Sequence, residues 1–118
     1  MSNLAIRALP EPVRTLDYTS ISGSYVGIGS AFENPLHWFM VQNFTDQAIM
    51  VSWDGINDHF PLSANGYVIM DVSSNKSLPA GTFLVSQGTR FYVRALDGGS
   101  LPSLGAVYLS TFYGWTNG

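Results

Sequence analysis

No window of a dozen residues in this chain keeps a 3.6-residue apolar period without a glycine, a proline or a β-branched cluster breaking it. What recurs instead is a short apolar or alternating run that ends in turn residues. That pattern excludes a helical bundle and points to an all-β domain, an antiparallel β-sandwich or jelly roll of about eight short strands, with a small barrel as the alternative.

The runs can be placed from the turns. Residues 4–9 (LAIRAL) read as a first short strand or an arm, broken by Pro10 and Pro12, since proline cannot donate to a ladder. Residues 13–19 fit an edge strand and residues 24–29 a weak, glycine-containing one. After the Asn34-Pro35 turn, residues 36–43 (LHWFMVQN) form the next strand. Thr45-Asp46 is short enough to suggest a hairpin with residues 47–53. Asn65-Gly66, a pair that accepts positive φ, leads into residues 67–72. Residues 82–86, 89–95 and 105–113 complete the set, leaving Trp115 in a short tail. In residues 89–95 the alternation is clean: Phe91, Val93 and Ala95 share one face, and Arg90, Tyr92 and Arg94 share the other. All 118 residues read as one domain, with residues 1–20 as its candidate extended arm.

The N-terminal residues lack the pattern of a signal peptide, and no apolar run reaches the roughly 20 residues that span a bilayer. With no cysteine, neither a disulfide nor a thiolate metal site is available. The net charge is −3 without clustered Lys or Arg, which argues against nucleic acid as a direct partner. Charged residues make up only 11% of the chain while aromatics make up 14%, against about 25% charged in ordinary domains. A surface so poor in charge suits burial against other subunits, so a homo-oligomer or docking on a larger partner is expected.

The densest polar cluster is Asp54, Asp58 and His59, after Trp53. A carboxylate beside an imidazole can serve acid–base or metal chemistry. Here the spacing matches no calcium loop, and His37, the other histidine, lies in an apolar strand. Asp-Gly and Asn-Asp are turn formers whose carboxylates accept from backbone N–H groups, so a polar corner between strands is expected. Nucleophile and phosphate-loop motifs are absent, so no catalytic residue, metal site or cofactor is assigned and no enzyme is expected. Arg90, Tyr92 and Arg94, with Arg7 and Trp115 near the two ends, are the candidate interface residues. Trp38, Phe39, Trp53, Phe60, Phe91 and Phe112 are expected in the core, and Tyr18, Tyr25, Tyr67, Tyr108, Tyr113 and Trp115 at the surface. A sandwich with exposed aromatics can also bind glycans.

The N-F-T-D turn at 43–46, the V-S-W-D-G-x-x-D-H-F sequence at 51–60 and N-G-Y-V-I-M-D-V at 65–72 carry a resemblance. R-F-Y-V-R at 90–94 and A-V-Y-L-S-T-F-Y at 106–113 complete it. With them the chain resembles the small β-sandwich virion proteins of tailed bacteriophages, of the capsid cement and decoration type. The resemblance implies a structural role without an active site. Such a protein is made in the host cytoplasm, resides in the virion and binds the major capsid protein or other virion proteins, often as a dimer. A tail, neck or fibre component is the nearest alternative, and a carbohydrate-binding module the next.

Overall fold

The computed structural model describes residues 5–71, 85–96 and 99–117. They form two antiparallel sheets packed as a sandwich. The strands are β1 (Ala5–Pro10), β2 (Arg14–Asp17), β3 (Val26–Gly27), β4 (Leu36–Asn43), β5 (Ile49–Ser52), β6 (Phe60–Leu62), β7 (Tyr67–Asp71), β8 (Tyr92–Ala95) and β9 (Ala106–Asn117). A single 3₁₀ turn, Tyr18–Ser20, interrupts them among the described residues. The first sheet runs β7-β4-β9, and β2 and β1 share the far side of β9; the second runs β3-β8-β5-β6. The pairs β5–β6, β4–β7, β3–β8 and β2–β9 nest inside one another. This is one long hairpin rolled over a core, the jelly-roll arrangement.

The roll corrects the expected hairpin between residues 36–43 and 47–53. β4 pairs with β7 and β9 in one sheet, whereas β5 pairs with β6 and β8 in the other. The connecting turn crosses from sheet to sheet because Asn43 makes it do so. Its fully buried amide donates to the carbonyls of Gln47 (2.9 Å), Ser63 (3.1 Å) and Leu62 (3.3 Å). Its Oδ1 accepts from the Thr45 N–H and hydroxyl. The amide thus supplies the hydrogen bonds that the bending backbone gives up. Gly105 (φ +91°) packs against this corner so closely that a Cβ would lie 2.0 Å from the Phe44 carbonyl oxygen.

The core is a single cluster between the sheets, centred on Phe39 and Phe91, which meet edge to face at 4.8 Å. Phe32, from the stretch before β4, adds a third buried ring. Trp53 and Phe60, expected in the core, pack on its rim and are partly buried. Trp38 and Phe112 do not join it. A register shift between Leu36 and Trp38 gives β4 one extra residue, so Leu36 and Phe39 both face inward and Trp38 turns out. The polar stretch after Trp53 hides β6, and residues 114–117 of the expected tail belong to β9. Of the expected strand at 82–86, residues 82–84 lie outside the described residues; Val85 bridges Leu36.

Candidate interaction surface

Asp54, Asp58 and His59 form a polar corner, as expected from turn chemistry. The N–H groups of Asn57 (2.9 Å) and Ile56 (2.8 Å) donate to Asp54, joined by the Asn57 amide and the Ser52 hydroxyl. Those donors hold the Asp54 carboxyl far below the usual carboxylate range. The Trp53 N–H donates to His59 Nδ1 at 2.8 Å, occupying the lone pair a base or ligand would need. Asp58 faces away from both. It accepts from the Tyr25 hydroxyl and pairs with Arg94 at 2.8 Å, and these two keep it ionised to lower pH than a free carboxyl. Burial, then the Asp58 hydrogen bond, raises the Tyr25 hydroxyl in turn. Among the described residues no group of three His, Asp or Glu is placed to hold a metal.

This corner leans on the outer face of the second sheet. There Arg94 is largely buried: it donates to the Ala95 carbonyl (2.8 Å) and to Asp58, and lies over the Tyr25 ring at 5.4 Å. Arg90 donates to the Gly29 carbonyl (2.6 Å) and lies over the Tyr92 ring at 5.7 Å. The glycine at 27 permits this, because a Cβ there would fall on the Arg90 guanidinium. Arg90, Tyr92 and Arg94 are therefore brought together, with Arg94 bound into the fold. Arg7 and Trp115 lie far along the first sheet, opposite each other in the β1–β9 register.

The outer face of the first sheet differs in kind. Strand register sets Trp38 beside Phe112 and Asp71, Met40 beside Ile69 and Ser110, and Gln42 beside Tyr67 and Tyr108. Trp38 and Phe112 stack at 3.8 Å between centroids, and Phe44 meets Tyr108 edge to face at 5.6 Å. Tyr67 is 66% exposed, Ile69 56% and Phe44 47%. This row of outward residues on β4, β7 and β9, from Trp38 to Phe44, contains no Lys or Arg.

An ion pair of the first sheet is hidden at its edge. Where the chain passes from β1 to β2, Glu11 and Arg14 pair at 2.9 Å with both side chains buried. Arg14 also donates to Ser30 O (2.8 Å), Ala31 O (3.1 Å) and Thr111 Oγ1 (3.0 Å) and lies over Phe32. Burial alone would raise the Glu11 carboxyl. Hydrogen bonds from Asn34 and Arg14, with the Arg14 charge, outweigh it and bring the net shift down. A cleft of about 310 Å³ opens beside this pair, lined by Pro12, Val13, Thr15, Ser30 and Glu33, with Arg14 in its wall. The buried pair was missed in the sequence, although Glu11 and Arg14 stand three apart inside a proline-flanked stretch. The outer face was missed because Trp38 and Phe112 read as core.

In comparisons with known proteins, no family model, no curated relative and no solved structure matches this chain. Among the described residues no helix is long and apolar enough to cross a membrane.

Proposed function

We propose that this chain is a non-enzymatic assembly protein that docks the outer face of its first sheet onto a larger protein shell. The shell is that of a virion, as in the phage cement and decoration proteins that the sequence resembles, and the partner is a major capsid protein or another virion protein. The observation that carries the reading is the face itself. It presents Trp38, Met40, Tyr67, Ile69, Tyr108 and Phe112 in one registered array. Interface centres are depleted in charge and enriched in aromatics and Met in this way, and exposed apolar patches mark interaction sites. A rigid sandwich holds the array flat, and many copies on a lattice turn a modest contact into high avidity.

The test is to purify particles and measure whether the protein is present and at what copy number. A fixed stoichiometry matching the shell lattice is expected. A few copies per particle would assign it to the tail or neck, and absence from particles would sink the reading. The same exposed aromatics also suit a sugar ring, so specific hits on a glycan array with no particle binding would favour a carbohydrate module.

A further inference from the structure

β2 pairs with β9 on one side and with no described strand on the other. Its register sets Arg14 opposite Leu109, Thr15 opposite Tyr108, Leu16 opposite Val107 and Asp17 opposite Ala106. In an antiparallel pair, residues that exchange both backbone bonds alternate with residues that turn both groups away. Gly105 O accepts from Tyr18 N, one step beyond this register, so the odd-numbered residues of β9 face β2. Ala106 O accepts from Phe44 N, so the even-numbered ones face the β4 side. Arg14 and Leu16 therefore bond to β9, whereas Thr15 and Asp17 turn their N–H and C=O groups to the outer edge.

The cleft of about 310 Å³ lies against this edge, between residues 12–15 and the loop that carries Gly29, Ser30 and Glu33. Every residue that lines it is among the described ones. Arg14 fixes the loop from behind. It donates to Ser30 O and Ala31 O, and its stem fills the space beside Gly29, where a Cβ would lie 2.9 Å from it. The Arg14 charge is itself met by buried Glu11. Glu33, by contrast, is exposed and has no hydrogen-bond or ion-pair partner among the described residues. The cleft thus combines unused backbone donors and acceptors with an unmatched negative charge.

We propose that the cleft receives an extended segment of a partner protein, which adds to the β2 edge as a further strand and carries a Lys or Arg toward Glu33. In strand addition, main-chain bonds supply affinity and sites for alternate side chains supply specificity. Residues of the segment opposite Thr15 and Asp17 take up the free backbone groups. Their neighbours in the segment stand on the same face as Arg14 and Leu16. That is the side on which Arg14 holds the 29–33 loop, so the cation belongs at those alternate positions. The volume is at the lower end of ligand clefts and suits a few residues of chain. A second copy of this chain is the wrong occupant. Pairing two copies edge to edge would gather only carboxylates, Asp17 and Glu33 of each, at the seam, and like charges oppose a strand pair. None of the residues tested on the docking face takes part, so the two proposals fail separately.

The probe is the acetylated, amidated pentapeptide Thr-Lys-Thr-Lys-Thr, compared with Thr-Glu-Thr-Glu-Thr, each titrated into the full chain to ~5 mM and followed by NMR. The Lys peptide should move the amide resonances of Thr15 and Asp17 most and those of Arg14 and Leu16 least. The Glu peptide should bind at least about fivefold more weakly. Glu33→Lys, a change on an exposed side chain, should reverse that preference. Thr15→Pro removes an outward donor and leaves the β9 ladder intact, as a proline on an edge strand can, so it should abolish binding. Thr15 and Asp17 amides that stay still to ~5 mM Lys peptide would overturn the proposal. So would a preference that Glu33→Lys does not change, or a folded Thr15→Pro chain that binds like the wild type.

Discussion

The first sheet keeps its ion pair inside, with side-chain exposures of 7% for Arg14 and 2% for Glu11, and turns outward an aromatic row without Lys or Arg. On the second sheet Arg90 is exposed, while Arg94, at 10% nearly as buried as Arg14, is reached from a loop by Asp58, 47% exposed at its side chain. The chemistry of the two pairs is alike, but their surroundings give them different work. A buried pair is dear to break, because the survivor is left charged in a poor solvent. A pair open to water is screened and weakly coupled to stability. Hiding Glu11 and Arg14 anchors the edge of the first sheet and leaves its outer face free for contact.

The largest expected effect therefore lies at Arg14. Arg14→Ala should destabilise the fold by about 3–5 kcal/mol in denaturant titration, by stranding Glu11. Replacing the pair together, Glu11→Leu with Arg14→Met, should recover most of that loss; an equally unstable double variant would break the comparison. The same pair sets a pH dependence. The folded-state pKa of Glu11 is depressed, so its contribution is complete above the unfolded carboxylate pKa and drains away as pH falls through the folded value. The melting temperature should drop as the pH falls below about 4.5. Glu11→Gln should flatten part of that slope, the rest belonging to Asp17, Asp46, Asp54 and Asp58, which are depressed by their own hydrogen bonds.

Next in size is Trp38→Ala, which removes the stack on Phe112 and should cost about 2 kcal/mol. Arg94→Ala, on the second sheet, should lower the melting temperature by only about 2–4 °C, with less difference from wild type at high salt. Smallest is Arg90→Ala, expected within about 0.5 kcal/mol of wild type.

Much of this fold was legible from local signals. Leu36–Asn43 was read to the residue, because turns bracket an unbroken apolar run, and the alternation through Phe91, Val93 and Ala95 matched the observed inward face. Features that depend on distant partners were not legible. Asn43 reads as a turn former, yet its work is to reach the carbonyls of Leu62 and Ser63 and send the chain into the other sheet. β6 is three residues long and contains Pro61, so neither length nor alternation marks it. Asp58 looked like a partner for its neighbour His59, but the roll of the chain brings it Tyr25 and Arg94 instead. The polar corner was readable from turn chemistry, whereas the aromatic face emerges only when the extra residue in β4 turns Trp38 outward.

The central claim is that the first sheet's face, and not the arginine face, makes the assembly contact. The direct measurement is co-sedimentation of purified variants with particles stripped of the protein. Tyr67→Glu combined with Ile69→Lys alters exposed positions and should leave melting unchanged, yet reduce binding at least ~30-fold, the loss of a central hot spot. Arg90→Glu should bind as wild type. Normal binding by the Tyr67/Ile69 variant, with loss of binding on Arg90→Glu, would contradict the account.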